Sequence, residues 1–291
     1  MASDSQRPNK AERTASAREK AQQMRVAQEA ADKRKSLFIK LGVLVAVLAV
    51  VALVAAIILQ NNSGKVADAG NAPKGGNAAG GITLTSDKTL ADTSGVKVDI
   101  ATVGTPPQQQ GNTPPPAKPR DAKAAAKGEP VNLIIYVDVN CVHCADFEGR
   151  YADQIATWLA AGDVNVEYRN VAFLDRGSPT NYSSRGANAL ACVADAAPAS
   201  YLPFSKALFA HYPQGEMNNS ALAQLAKDNG ADVATCIEKG TFRPFVKFTD
   251  AAARVDAIGG TPSIFIQGKL WDQTANPDFV SFVNEQIAAN K

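Results

Sequence analysis

Cys141-Val142-His143-Cys144 is the part of this 291-residue chain most able to do chemistry. Two residues separate the sulfurs, so on a helical turn they can close a disulfide with each other. If Cys141 stands at a helix start, free N–H groups and the positive end of the helix dipole stabilise its thiolate. The thiolate is both the attacking species and the better leaving group in disulfide exchange. His143, between the cysteines, is placed to donate a hydrogen bond or charge toward Cys141. His211, beside Tyr212-Pro213, lacks such a setting and reads as structural.

Other uses of a CxxC fit less well. Covalent haem attachment needs His after the second cysteine, where this chain has Ala145. A zinc site needs a second close pair, whereas Cys192 and Cys236 are 44 residues apart. No metal and no cofactor are expected.

The elements around the motif suit redox chemistry. Asn132–Asp138 is a short apolar run with β-branched and aromatic residues, as in a buried strand. From Cys144 to Ala161 a helix is expected, with Phe147, Tyr151, Ile155, Trp158 and Leu159 on one face and Gly162 as its stop. Residues 164–173 read as a second strand, which makes a βαβ unit with parallel strands. About 180–258 is helical, with candidate helices at 184–196, 204–211, 220–229, 233–238 and 244–257. Gly259-Gly260-Thr261-Pro262 then breaks the chain before a hairpin at 263–271 and a last helix at 277–289. The cysteines therefore fall where a strand hands over to a helix.

The aromatic residues locate the core. Nineteen Phe, Tyr and Trp are present, and all but Phe38 lie at or after Tyr136. A single domain from about residue 130 to 291 is expected, because aromatics dominate core energetics. Residues 61–129 read as low-complexity linker, rich in Gly, Asn and Ala and then in Pro. A short hairpin over 82–103 is the one folded piece expected there.

Leu41–Leu59 is nineteen residues without a charge, about 28 Å as a helix, so a transmembrane helix is expected over 38–60. Lys33, Arg34, Lys35 and Lys40 precede it and Lys65 alone follows closely. The positive-inside rule then gives a single-pass protein in the cell membrane: a basic cytoplasmic tail over 1–37, and the remainder extracytoplasmic. The partner of this span is the lipid bilayer. Residues 1–40 carry ten Lys/Arg against five Asp/Glu, while residues 130–291 carry twelve against seventeen. An acidic domain argues against nucleic acid as partner. In an oxidising compartment four cysteines favour disulfides, so Cys192 and Cys236 are expected to bond, the alternative being two free buried thiols.

Cys-Val-His-Cys at a strand-to-helix junction, the helical insertion, and Gly260-Thr261-Pro262 before Ser263-Ile-Phe-Ile resemble DsbA-like thiol–disulfide oxidoreductases. Asp138 and Ala189-Leu-Ala-Cys192 are similar to the membrane-anchored, Gram-positive branch. The resemblance implies an α/β, thioredoxin-like fold with an inserted helical domain. It also implies that Pro262 is a cis-proline beside the active disulfide and that the backbone of Thr261 meets the substrate chain. The activity implied is the introduction of disulfides into exported thiol-containing proteins. Cys141 would carry the mixed disulfide and Cys144 resolve it, with reoxidation by a quinone-linked membrane protein of DsbB or vitamin K epoxide reductase type. Val142 replaces the family's usual proline, which bears on redox potential. A reductase or isomerase is the alternative within the class, and a tethered binding module with a structural CxxC is the alternative outside it. No stretch reads as a dimerisation domain, so a monomer is expected.

Overall fold

A computed structural model of the chain describes residues 65–108 and 114–291, with eight isolated positions between Gln22 and Val51, all helical. The chain divides into two units, residues 1–65 and 66–291. The tail expected over 1–37 and the span expected over 38–60 lie outside the described residues apart from those eight positions. Among the described residues no helix is long and apolar enough to cross a membrane.

The second unit is built on a mixed sheet. Strand β4 (Val131–Val137) pairs in parallel with β5 (Val164–Asn170) through the crossover helix α1 (Val142–Ala161). Strand β6 (Ser263–Ile266) runs antiparallel on the other side of β4, followed by β7 (Lys269–Leu270). Period-2 alternation sorts their side chains. Leu133, Ile135, Val137, Val166 and Tyr168 face one core, while Ile134, Tyr136 and Phe265 face a smaller one behind it.

Between β5 and β6 lie five helices: α2 (Tyr182–Ala196), α3 (Tyr201–Ala210), α4 (Asn219–Asp228), α5 (Ala234–Lys239) and α6 (Arg243–Val255). Helix α7 (Phe279–Asn290) closes the described chain. Phe279 anchors it among Phe147, Tyr151, Trp158 and Trp271, with ring centroids between 4.9 and 5.9 Å. Such pairs contribute about 0.5–1.5 kcal/mol each beyond their buried area. The disulfide Cys192–Cys236 joins α2 to α5, with Cα atoms 5.9 Å apart.

Three expectations for residues 61–129 are corrected. The folded unit starts near residue 66, not 130. The two segments read as a hairpin over 82–103 do form strands, but not with each other. Strand β2 (Ile82–Leu84) adds to the outer edge of β5, giving the order β2-β5-β4-β6-β7, while β3 (Lys97–Asp99) pairs with β1 (Ala69–Asn71). The glycines that suggested a linker serve close packing instead. A Cβ at Gly70 would lie 2.7 Å from Pro244 Cβ, and one at Gly81 would overlap the Glu167 carboxylate.

The proline-rich stretch is fastened as well. The buried Arg169 guanidinium donates to Tyr136 Oη at 2.6 Å and to the Arg120 carbonyl at 2.9 Å, and pairs with Glu167 at 2.6 Å. Asp256 accepts from the Arg120 backbone N–H at 2.8 Å and pairs with its guanidinium at 3.0 Å. These bonds strap residues 118–122 across the back of the sheet. Sequence patterning misses this because the strap is held by charges from distant elements, not by a hydrophobic period of its own.

Candidate active site

Strand β4 ends at Val137, and three residues later the chain turns into α1. Asp138 makes that turn rigid. Its Oδ1 accepts the Asn140 N–H at 2.9 Å, its Oδ2 accepts the Leu174 N–H at 3.0 Å, and its carbonyl accepts the Cys141 N–H at 3.0 Å. Cys141 is the N-cap residue of α1, with extended backbone, and the helix begins two residues earlier than the sequence suggests. Its carbonyl takes the N–H groups of Cys144 and Ala145 at 3.1 and 3.0 Å.

The two sulfurs have opposite settings. The Cys141 thiol is pulled down to about 5. Its partner Cys144 contributes most, the Thr261 side chain and the backbone N–H groups of Cys144 and His143 add to it, and burial opposes them. Cys144 is fully buried, and burial together with the neighbouring Cys141 pushes its thiol far above the ordinary range. The Asp138 N–H donates to its sulfur at 3.5 Å. At neutral pH Cys141 is therefore a thiolate and Cys144 a thiol.

Thr261 and Pro262 stand beside this pair. The bond between them is cis, and the Cys141 sulfur lies 3.3 Å from the Thr261 carbonyl oxygen. An open groove of about 740 Å³ runs from there past His143, Phe147, Tyr151, Leu270 and Trp271. His143 lines the groove and is exposed. Among the described residues no hydrogen bond joins its imidazole to either sulfur. The His143 backbone N–H is among the groups that lower the Cys141 thiol. The insertion also touches the site, where Glu216 Oε1 accepts from Asn140 Nδ2 at 3.4 Å.

Two acids were less legible than the cysteines. Asp138 has burial against it, which raises its carboxyl to about 6. Glu148, one turn after Cys144, is buried without a countercharge, and burial lifts it to about 8. A signal for Glu148 existed: it falls within the apolar stripe formed by Phe147, Tyr151 and Ile155. Among the described residues no cluster of His, Cys, Asp and Glu is arranged to hold a metal ion.

A thioredoxin-like sheet, a CxxC with one thiolate and one buried thiol, and a facing cis-proline together form a site with the parts that thiol–disulfide exchange requires. The chain belongs to the thioredoxin family Thioredoxin_4, whose model matches residues 125–285, more than half its length. It is 34% identical over 121 residues to the serine/threonine-protein kinase PknE of Mycobacterium tuberculosis, covering 38% of this chain and 21% of that protein. The chain thus spans about a fifth of the length of the curated relatives it matches. Among solved structures it is similar in fold to the thiol-disulfide oxidoreductase MdbA of Corynebacterium matruchotii. That match has 19% identity and a TM-score of 0.50, over 76% of this chain and 94% of that one. Oxidised DsbA of M. tuberculosis matches with 24% identity and a TM-score of 0.45, over 59% and 97%.

Proposed function

We propose that the chain is a membrane-tethered, extracytoplasmic oxidase that introduces disulfides into exported proteins. The observation that carries this reading is the asymmetry of the two sulfurs. A thiolate at Cys141 stabilises the reduced enzyme, and a stable reduced form makes the disulfide a strong oxidant. A substrate thiolate attacks Cys141, the electron pair of the broken bond leaves on Cys144, and a second substrate thiol releases Cys141. The groove beside Thr261 and Pro262 would hold the substrate's extended chain.

The rest of the proposal follows from the amino-terminal sequence: one span over 38–60, the tail 1–37 in the cytoplasm, and the catalytic unit outside. Reoxidation falls to a quinone-linked membrane protein of DsbB or vitamin K epoxide reductase type, and the enzyme acts as a monomer. Protease added to intact protoplasts should digest the catalytic unit and spare the tail.

The direction of reaction is tested by equilibrating the protein with reduced and oxidised glutathione. An oxidase is reduced readily in that mixture and has a potential well above that of a glutathione-resistant structural disulfide. A strongly reducing potential would assign the site to a reductase. Thiol exchange that survives substitution of Cys141 would leave only a binding module.

A further inference from the structure

The three residues before Cys141 are held one by one from the side of the insertion. Asp138 Oδ2 accepts the Leu174 N–H at 3.0 Å, just ahead of α2. Val139 packs against Gly186 of α2, where a Cβ would come within 2.5 Å of Val139 Cγ2. Asn140 Nδ2 donates to Glu216 Oε1 at 3.4 Å. Asp138 and Val139 are buried and shape the turn. The Asn140–Glu216 contact is on the surface, where a hydrogen bond competes with water and adds little to folding. It lies next to the nucleophile.

Glu216 is itself fastened, although it is exposed. Its Oε2 accepts from Thr180 Oγ1 at 2.7 Å, and that hydroxyl accepts from Arg185 Nη2 at 2.6 Å. Arg185 also donates to the carbonyls of Thr180 and Met217, both at 2.8 Å, and so braces the two sides of Glu216. Burial opposes ionisation of Glu216, but hydrogen bonds from Thr180, Ser178 and Asn140, with the Arg185 charge, hold its carboxyl below the usual range. Fixing a glutamate side chain costs rotamer freedom, so this many partners on a surface glutamate mark a defined position.

The Asn140 carboxamide has no other hydrogen bond among the described residues, so its oxygen and its second N–H are available. A carboxamide offers the same donor and acceptor pair as a peptide group. A cleft of about 560 Å³ opens beyond Glu216, past Thr180, Met217 and Asn219, and shares no residue with the groove along Thr261 and Trp271. A polypeptide whose cysteine is bonded to Cys141 therefore has open space on the insertion's side of the sulfur as well.

We propose that Asn140, held by Glu216, binds the substrate's main chain beside its reacting cysteine. Asn140 makes the contact and Glu216 is the positioning residue. An extended chain advances about 3.3 Å per residue, so a substrate that meets Thr261 on one side of the sulfur reaches Asn140 within a residue or two. Bracketed in this way, a polypeptide exchanges in preference to a small thiol that has no main chain. The contact asks for no particular side chain, so it suits substrates of unrelated sequence.

The inference rests on the disulfide-exchange reading of the site. The test compares two dithiols that reduce the oxidised full chain: dithiothreitol, and an unstructured, uncharged peptide with two cysteines. Each rate is divided by the thiolate concentration, and the peptide-to-dithiothreitol ratio is read for each variant. The ratio cancels any general loss of folded protein. Asn140→Ala and Glu216→Ala should each lower it by roughly three- to ten-fold, the loss of one hydrogen bond. The double variant should fall no further than Asn140→Ala, because Glu216 acts through Asn140. Glu216→Gln keeps an oxygen for Asn140 and should keep most of the ratio. An unchanged ratio in Asn140→Ala overturns the proposal. Additive losses in the double variant, or a loss in Glu216→Gln as large as in Glu216→Ala, overturn it too. A wild-type chain that reacts with neither dithiol would instead remove the exchange reading itself.

Discussion

The sulfur of Cys141 lies 3.3 Å from the carbonyl oxygen of Thr261, across 120 residues of sequence. The cis-proline loop thus forms one wall of the nucleophile's pocket, and its hydroxyl is among the groups that hold the thiol near 5. Thr261→Val removes that hydroxyl and keeps the shape. The Cys141 pKa should rise by roughly one unit, about 1.4 kcal/mol, and the enzyme should become a weaker oxidant by about 30 mV. His143→Ser leaves the backbone N–H in place, so Cys141 should stay well below neutral in that variant. Thiolate absorbance against pH reads both, and a His143→Ser pKa near that of a free thiol would return the tuning to the imidazole.

Asp138 makes stability depend on pH. Burial raises its folded pKa to about 6, above an unfolded value near 3.9. The contribution is therefore fully present below about pH 4 and is lost as pH rises through 6. Asp138→Asn should abolish this slope, and its stability relative to wild type should improve by up to about 3 kcal/mol between pH 4 and 7. Denaturant unfolding at several pH values measures it, and parallel curves for the two proteins would refute the assignment.

The Cys192–Cys236 bond closes a long loop within the insertion. Paired replacement by Ala should cost about 4 kcal/mol by chain entropy. Mild reduction should open Cys141–Cys144 while mass spectrometry of the digest still finds Cys192 joined to Cys236. Two alkylatable thiols there in the untreated protein would contradict the pairing.

Arg169 holds Tyr136, Glu167 and the strap around Arg120 at once. Arg169→Met leaves buried acceptors and a carboxylate without their partner, and should destabilise by about 3–5 kcal/mol. Limited proteolysis should then cut the strap near residues 118–122 before any other site. An intact strap in the variant would show that Asp256 alone suffices to hold it.

A chain begun at residue 66 should unfold in one transition as the longer protein does, whereas one begun at residue 130 should not. The shorter chain uncovers the β5 edge that β2 pairs with, and it loses the strap. Equal unfolding midpoints for the two would restore the later boundary.

Much of this protein is decided locally. The apolar run before Cys141, the helical period after it and the break at Gly259-Gly260 each act over a few residues, so the sequence by itself determined the βαβ unit, the insertion and the position of the CxxC. Helix ends are set by local hydrogen bonds, and most of the expected boundaries lie within two or three residues of the observed ones. Only the tertiary structure decided what residues 65–108 and 114–129 do. Gly70 and Gly81 look like flexible linker because their reason, close approach to Pro244 and Glu167, lies more than 80 residues away in the chain. The same holds for the site's acids. Whether the carboxyls of Asp138 and Glu148 are solvated or buried depends on what packs over them, and no spacing within the sequence specifies that desolvation.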